Sequence, residues 1–353
     1  MMDLRPLGRS GLTVPSLCLG TMTYGQQNTE AEGLAQMDYA LDHGVNFFDT
    51  AELYAIPPKP ETQGSTERII GSWFKARKNR DRIILATKAV GRTHMTWFRK
   101  PPTEGRITRA QLTEALDGSL RKLNTDYVDL YQLHWPERPL SWGANPTRFD
   151  ANAYAPAADE ASITEQLEAL HAFVKAGKVR FIGLSNESAW GTMRFVFEAE
   201  TRGLPRVHSV QNGYNLLNRT YETALAEIAL REQVGLLAYS PLAQGFLTGK
   251  YLNGARPAGA RNTLFSRGQR YETPGTEAAV ADYVAIARTH GIDPAAMAIA
   301  FVVSQPFVTS AIIGATTMAQ LKVCIADALA VSMTADLRSQ IDAVHQLRGN
   351  PCP

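Results

Sequence analysis

Residues 108–134, TRAQLTEALDGSLRKLNTDYVDLYQLH, decide the fold. Thr108 with Gln111 predicts a capping box, in which side chains satisfy the orphan N–H groups of a first helical turn. Leu112, Leu116, Leu120 and Leu123 then fall on one helical face. The tight turn Asn124-Thr125-Asp126 leads straight into an apolar run, Val128 to Leu133, which ends at His134. A capped helix, a short turn and a strand make one α/β step.

The step repeats along the chain. Candidate strands are Ser16 to Leu19, Val45 to Phe48, Ile83 to Thr87, Val128 to Leu133, Val179 to Leu184, Val207 to Gln211, Gly235 to Tyr239 and Ser310 to Ile313. Ser162 with Glu165 predicts a second capping box. Strands that alternate with helices imply a parallel sheet, and eight of them meet the count for a closed (β/α)8 TIM barrel rather than an open doubly wound sheet. Leu4 to Val14, with Gly8 and Gly11, reads as an N-terminal β-hairpin, and Thr334 to Leu347 as an extra C-terminal helix, both as covers. No internal repeat, low-complexity tract or Gly/Ser/Pro linker divides the sequence, so one domain over 1–353 is expected.

Composition narrows the function classes. The 353 residues are 44% hydrophobic and 20% charged, enough to bury a large core. Lys and Arg total 36 against 34 Asp and Glu, and a net +2 gives no electrostatic case for nucleic acid or an anionic membrane. The longest apolar stretch, Ala295 to Val303, falls well short of the about 20 residues a membrane span needs. Asp3 and Arg5 break any signal-peptide core. Three cysteines, Cys18, Cys324 and Cys352, show no CxxC spacing and fit a reducing compartment, so the cytoplasm is the expected location. The seven histidines show neither HxH nor HExxH, and no metal is expected. No GxGxxG follows a strand, and Gly245 to Tyr251 fails as a P-loop because three residues, not four, separate its glycines.

Loop lengths mark the working face. Helix-to-strand turns such as His43-Gly44 and Gly177-Lys178 are tight, whereas the strand-to-helix connections Ala51 to Ser65, Val90 to Ile107, His134 to Ala161 and Ser240 to Gly275 are long. In a barrel these long connections gather at the C-terminal ends of the strands, where barrel enzymes carry their sites. Four polar residues sit there: Asp49, Tyr54, Lys88 and His134. Each has an ordinary reading alone, as a loop charge, a packed tyrosine or a core histidine. Together they form an acid catalyst. An ammonium beside a phenol is expected to lower its pKa of about 10, a carboxylate would hold the ammonium, and a neutral imidazole would orient a carbonyl oxygen.

In the phrases Asn46-Phe47-Phe48-Asp49-Thr50-Ala51-Glu52-Leu53-Tyr54 and Leu130-Tyr131-Gln132-Leu133-His134-Trp135, these residues resemble the Asp-Tyr-Lys-His tetrad of the aldo-keto reductases. Further blocks run nearly end to end: Gly20-Thr21-Met22, Gly183-Leu184-Ser185-Asn186, Gln211-Asn212, Tyr239-Ser240-Pro241-Leu242-Ala243, Leu247-Thr248-Gly249-Lys250 and Gly314-Ala315-Thr316-Thr317. The loop at 60–64 and the stretch 260–266 look most similar to the bacterial Tas-type NADP(H)-dependent reductases.

The resemblance implies roles. Tyr54 would be the general acid in reduction of an aldehyde or ketone by NADP(H), with Lys88 and Asp49 tuning it and His134 orienting the substrate. Ser185, Asn186 and Gln211 would bind the nicotinamide carboxamide, and Tyr239 would stack on its ring. Thr21 and Met22 would border the cofactor. Ser240, Pro241, Leu242, Ala243, Gly245 and Lys250 would wrap the pyrophosphate, and Arg261, Gly314, Thr316 and Gln320 would hold the adenosine phosphate end. Many relatives carry Lys or Arg after the eighth strand and Asn at position 324; here stand threonines and Cys324. One of Arg256, Arg261, Arg267 and Arg270 is therefore expected to meet the 2′-phosphate, and Arg261 is the choice. Tyr24, Trp97 and Trp135, with Met22 and the loop around Trp142, would wall an apolar pocket for a small-molecule carbonyl substrate.

Two other classes compete. The fold also resembles the β subunits of voltage-gated potassium channels, NADPH-binding regulatory subunits, although a binding module can dispense with the complete tetrad kept here. A barrel isomerase acting on sugar phosphates would bind phosphate without a redox cofactor. The physiological substrate, its pathway and the oligomeric state are not legible in the sequence.

Overall fold

The computed structural model describes residues 2–140, 150–266 and 269–353. The expectations placed on Trp142 and Arg267 lie outside the described residues.

Eight parallel strands close on themselves. They are β3 (Leu17–Gly20), β4 (Phe47–Asp49), β5 (Ile84–Ala89), β6 (Val128–Leu133), β7 (Val179–Ser185), β8 (Val207–Gly213), β9 (Gly235–Tyr239) and β10 (Val308–Ile313), each hydrogen-bonded to the next, with β10 returning to β3. Between them lie α1 (Glu30–Asp42), α2 (Ser65–Arg77), α3 (Arg109–Leu123), α4 (Ile163–Lys175), α5 (Ala189–Arg202), α6 (Leu225–Arg231) and then three helices before β10: α7 (Arg261–Phe265), α8 (Thr276–Thr289) and α9 (Pro294–Val303). This is the expected (β/α)8 barrel; five of the eight strands extend one or two residues past their expected ends, and β10 begins two residues earlier than expected. The apolar stretch 295–303 lies in α9, wedged against β10 and covered by α8. Among the described residues no single helix is long and apolar enough to cross a membrane.

Both covers are present. The hairpin β1 (Leu4–Pro6) and β2 (Thr13–Pro15) pairs antiparallel and sends Leu7 and Val14 into the barrel floor against Cys18, Phe47, Ala86, Leu130, Leu237 and Ile312. After β10 come α10 (Met318–Lys322), a π-helical turn through Cys324, α11 (Ala328–Ala330) and α12 (Ala335–Arg348), whose Leu337 and Ile341 are buried.

The caps explain most helix starts. Ser162 and Glu165 form the full capping box, as do Thr29 and Glu32, a pair the sequence reading passed over. At α3 the expectation is half right. Thr108 Oγ1 accepts from Gln111 N, but the Gln111 carbonyl turns away to accept from Arg99 Nε and Arg106 N. A guanidinium on a neighbouring loop is a better donor than the cap's own N–H. The α2–α3 crossing depends on a missing side chain: a Cβ at Gly71 would stand 2.1 Å from Lys122 O.

Candidate active site

Asp49 ends β4, Lys88 lies near the end of β5, and His134 follows β6, so three adjacent strands carry their polar ends to one mouth. There Lys88 Nζ donates to Asp49 Oδ2 at 2.6 Å, to Thr50 O at 2.8 Å and to the Tyr54 hydroxyl at 3.4 Å. The ammonium is fully buried. The Tyr54 and His134 rings meet edge to face, with centroids 5.6 Å apart. All four expected catalytic residues therefore converge.

Burial and charge set their protonation. Burial pulls the Lys88 ammonium down, but Asp49 and Tyr54 outweigh it, and its pKa stands above that of an ordinary lysine. Burial pushes the Tyr54 hydroxyl up, and the Lys88 charge only partly opposes this. The net rise corrects the sequence expectation of a lowered value, which counted the ammonium and not the desolvation. Tyr54 thus holds its proton throughout the neutral range. Burial first, then the Lys88 charge, drives His134 well below the usual histidine value, so its imidazole is neutral. Its Nδ1 is buried without a hydrogen-bond partner, which leaves Nε2 as the natural place for the one ring proton.

Residues outside the four hold the tyrosine in place. Arg99 grips both carboxylate oxygens of Glu52, at 2.9 and 3.0 Å, and Val90 N donates to the same carboxylate. This buried clamp ties the loop after β5 to the loop carrying Tyr54. Glu52 stands in the quoted Asp49-to-Tyr54 phrase, but nothing in the sequence shows its partner 47 residues away.

The expected cofactor residues divide. Gln211 is buried, with Nε2 donating to Asp49 Oδ1 at 2.8 Å. Ser185 Oγ donates to Gln211 O. Asn186, in the left-handed region at φ 52°, donates to His134 O and accepts from the Tyr239 hydroxyl at 2.8 Å. These residues and Tyr239 lie together beside the tetrad. Gly213 lets Tyr239 lie close, since a Cβ there would come within 3.2 Å of the ring. After β9, Ser240, Ala243 and Gln244 all take positive φ, 54°, 49° and 56°, before Gly245 at 95°. Such a run costs about 1 kcal/mol or more per non-glycine residue and is characteristic of ligand clamps. A Cβ at Gly245 would lie 2.9 Å from Lys250 Nζ, so backbone and ammonium are brought together. Burial, then the charge of Arg261, pull the Lys250 pKa down. Lys250 follows the strained loop, and Arg261, at the start of α7, is near enough for its charge to act on Lys250.

Other expectations need correction. Thr21 is fully buried, and its hydroxyl is spent on Asp49 O at 2.8 Å, so it braces β4 instead of facing a ligand. Pro241 and Ala243 are buried and Leu242 packs on the core, which leaves only their backbone to a ligand. Gln320 Oε1 folds back onto Thr316 N and Oγ1, both at 3.0 Å, while its amide N–H2 has no partner among the described residues; Gly314 beside them is exposed. Of the arginines, Arg256 pairs with Glu272, and Arg270 reaches the Tyr239 hydroxyl at 3.1 Å. Tyr24 is also no pocket wall: it is fully buried and hydrogen-bonded to Gln36. Trp97, Trp135 and Met22 do pack around Tyr54, with Leu53, Phe98 and Met95. A cleft of about 680 Å³ runs from Asn186 and Tyr239 to Trp190 and Arg138, and none of the four catalytic candidates, Trp97, Trp135 or Met22 lines it.

An ammonium, a phenol and a neutral imidazole are thus buried together at the mouth of a closed parallel barrel. The chain belongs to the aldo/keto reductase family, whose description matches residues 16–346, and it is an oxidoreductase of that family. It is 48% identical to Protein tas of Escherichia coli over the whole of both chains. It is 32% identical over 329 residues to the L-glyceraldehyde 3-phosphate reductase of the same organism, covering 91% of this chain and 86% of that protein. A probable voltage-gated potassium channel β subunit of Arabidopsis thaliana is 31% identical over 330 residues, covering 91% and 89%.

Proposed function

We propose that the protein reduces an aldehyde or ketone to an alcohol with NADPH, Tyr54 serving as general acid. The observation that carries this reading is the Lys88 ammonium buried between Asp49 Oδ2 and the Tyr54 hydroxyl. Its charge stabilises the phenolate left when Tyr54 gives up its proton, at the moment that charge develops. A bound NADPH supplies the hydride. Gln211 keeps its carbonyl oxygen for the nicotinamide carboxamide, while Tyr239 offers a ring face held in place by Asn186 and Arg270. Lys250 and Arg261 would meet its phosphates. His134 Nε2–H would hold the substrate carbonyl oxygen within reach of Tyr54, and the apolar wall of Trp97 and Trp135 would exclude water. The L-glyceraldehyde 3-phosphate reductase among the relatives supports a carbonyl substrate.

A regulatory-subunit role, suggested by the channel relative, has less support, because all four catalytic residues are in place here. The deciding experiment is titration of the protein with NADPH and with NADH, followed by tryptophan fluorescence, and then a panel of aldehydes and ketones. Tight NADPH binding with turnover is expected; binding of neither nucleotide would overturn the proposal.

A further inference from the structure

Gln132 has no part in the mechanism above, yet it is a fully buried amide inside the barrel, level with Lys88 near the mouth. On β6 it stands two residues before His134, hence on the same side of the strand, and directly across the ladder from Lys88. Its other ladder neighbour is Gly183, where a Cβ would press within 3.3 Å of Gln132 Cγ and 2.8 Å of Ser209 Oγ. The small neighbour leaves the amide its space.

Gln132 Nε2 donates to Asp49 Oδ1 at 3.3 Å, and its Oε1 accepts from Gln211 Nε2, also at 3.3 Å. Gln211 Nε2 donates its second hydrogen to the same Asp49 oxygen. Two amides therefore occupy Oδ1 while Lys88 occupies Oδ2. The triangle fixes the amide orientation, because a flipped Gln132 would set carbonyl oxygen against carboxylate oxygen and N–H2 against N–H2. An apolar side chain at this place would fill the barrel with no desolvation cost, so the amide matters through what it holds.

We propose that Gln132 is a positioning residue for the acid pair. It locks the Asp49 carboxylate in the rotation that aims Oδ2 at Lys88, and so keeps the ammonium against the Tyr54 hydroxyl. Without Gln132 the Asp49 Oδ1 keeps only Gln211, whose own amide has lost the acceptor that fixes it, and because the terminal torsion of an aspartate is broad, a carboxylate so loosely held can swing. Lys88 then follows it, and burial acts on Tyr54 with less opposition. The kinetic consequence rests on the reductase reading; the positioning does not.

The test uses the full chain with Gln132→Met, which keeps length and removes the amide; Gln132→Leu serves if that variant does not fold. Tyr54 is followed by NMR of [13Cζ]tyrosine-labelled protein, its resonance assigned by its loss in Tyr54→Phe. The onset of Tyr54 ionisation is expected about one pH unit higher in the variant, a tenfold weaker acid. With NADPH and 4-nitrobenzaldehyde, kcat is expected to fall about tenfold while KM for NADPH stays within about twofold. An unchanged Tyr54 resonance and kcat would reduce Gln132 to filler. A raised KM with an unmoved Tyr54 would likewise overturn the proposal, since Gln132 would then act through Gln211 on cofactor binding. If the wild type turns over no carbonyl compound but the Tyr54 displacement is seen, the positioning stands and the reductase reading falls.

Discussion

Lys88 Nζ stands 3.4 Å from the Tyr54 hydroxyl across 34 residues of sequence, and Asp49 takes the other side of the same ammonium at 2.6 Å. Tyr54→Phe removes one oxygen and leaves the Lys88–Asp49 pair whole. The variant is expected to fold normally, to bind NADPH as the wild type does, and to lose about 100-fold or more in kcat, the usual contribution of a positioned acid. Steady-state kinetics beside a fluorescence titration check it; full activity would remove Tyr54 from the role.

Arg99 and Glu52 are 1% and 3% exposed, and the pair joins two loops beneath the tyrosine. Arg99→Met leaves the carboxylate buried and unpaired, which costs about 3–5 kcal/mol. Urea unfolding should show this as a lower midpoint with an unchanged slope. Turnover should fall as well, because Tyr54 sits two residues from the released carboxylate.

Arg261, at the start of α7, is near enough to Lys250 for its charge to pull that ammonium's pKa down. Arg261→Ala is expected to raise the KM for NADPH about tenfold or more, with little change for NADH, since a 2′-phosphate gains from a charged bidentate donor. Equal effects on both nucleotides would move the 2′-phosphate elsewhere.

Two histidines, His134 buried and His208 half-buried, make stability depend on acidity. Burial holds His134 well below the ordinary value and takes His208 down to about 4, with the Arg206 charge adding to the latter. Between their folded values and the unfolded value of about 6.5, the unfolded chain binds more protons than the folded one. Their contribution is complete above that pH and is lost as pH falls, with a slope of at most about 1.4 kcal/mol per pH unit for each histidine. Denaturant midpoints at pH 7, 6 and 5 should decline, and His208→Gln should flatten the decline. A pH-independent midpoint would contradict the assignment.

Local pattern was enough for the barrel, because strand length, helical period, caps and turn residues are properties of neighbours in sequence. It was also enough to place Asp49, Lys88 and His134 at one mouth, since successive parallel strands must end on the same side. Alternation held a further signal that went unread: Gln132 shares its strand face with His134, so a polar residue in an apolar strand was already pointed inward. What no local pattern contained was who meets whom across the barrel. Only the closed sheet brings Gln132 and Gln211 to one oxygen of Asp49, joins Arg99 to Glu52, and spends the Thr21 hydroxyl on Asp49 O. Burial of Tyr24, and the desolvation that lifts Tyr54 against its own lysine, come from the same source. Periodicity records which way a side chain faces, while the partner and the dielectric around it are fixed by chain segments far away, and those exist only once the tertiary structure has formed.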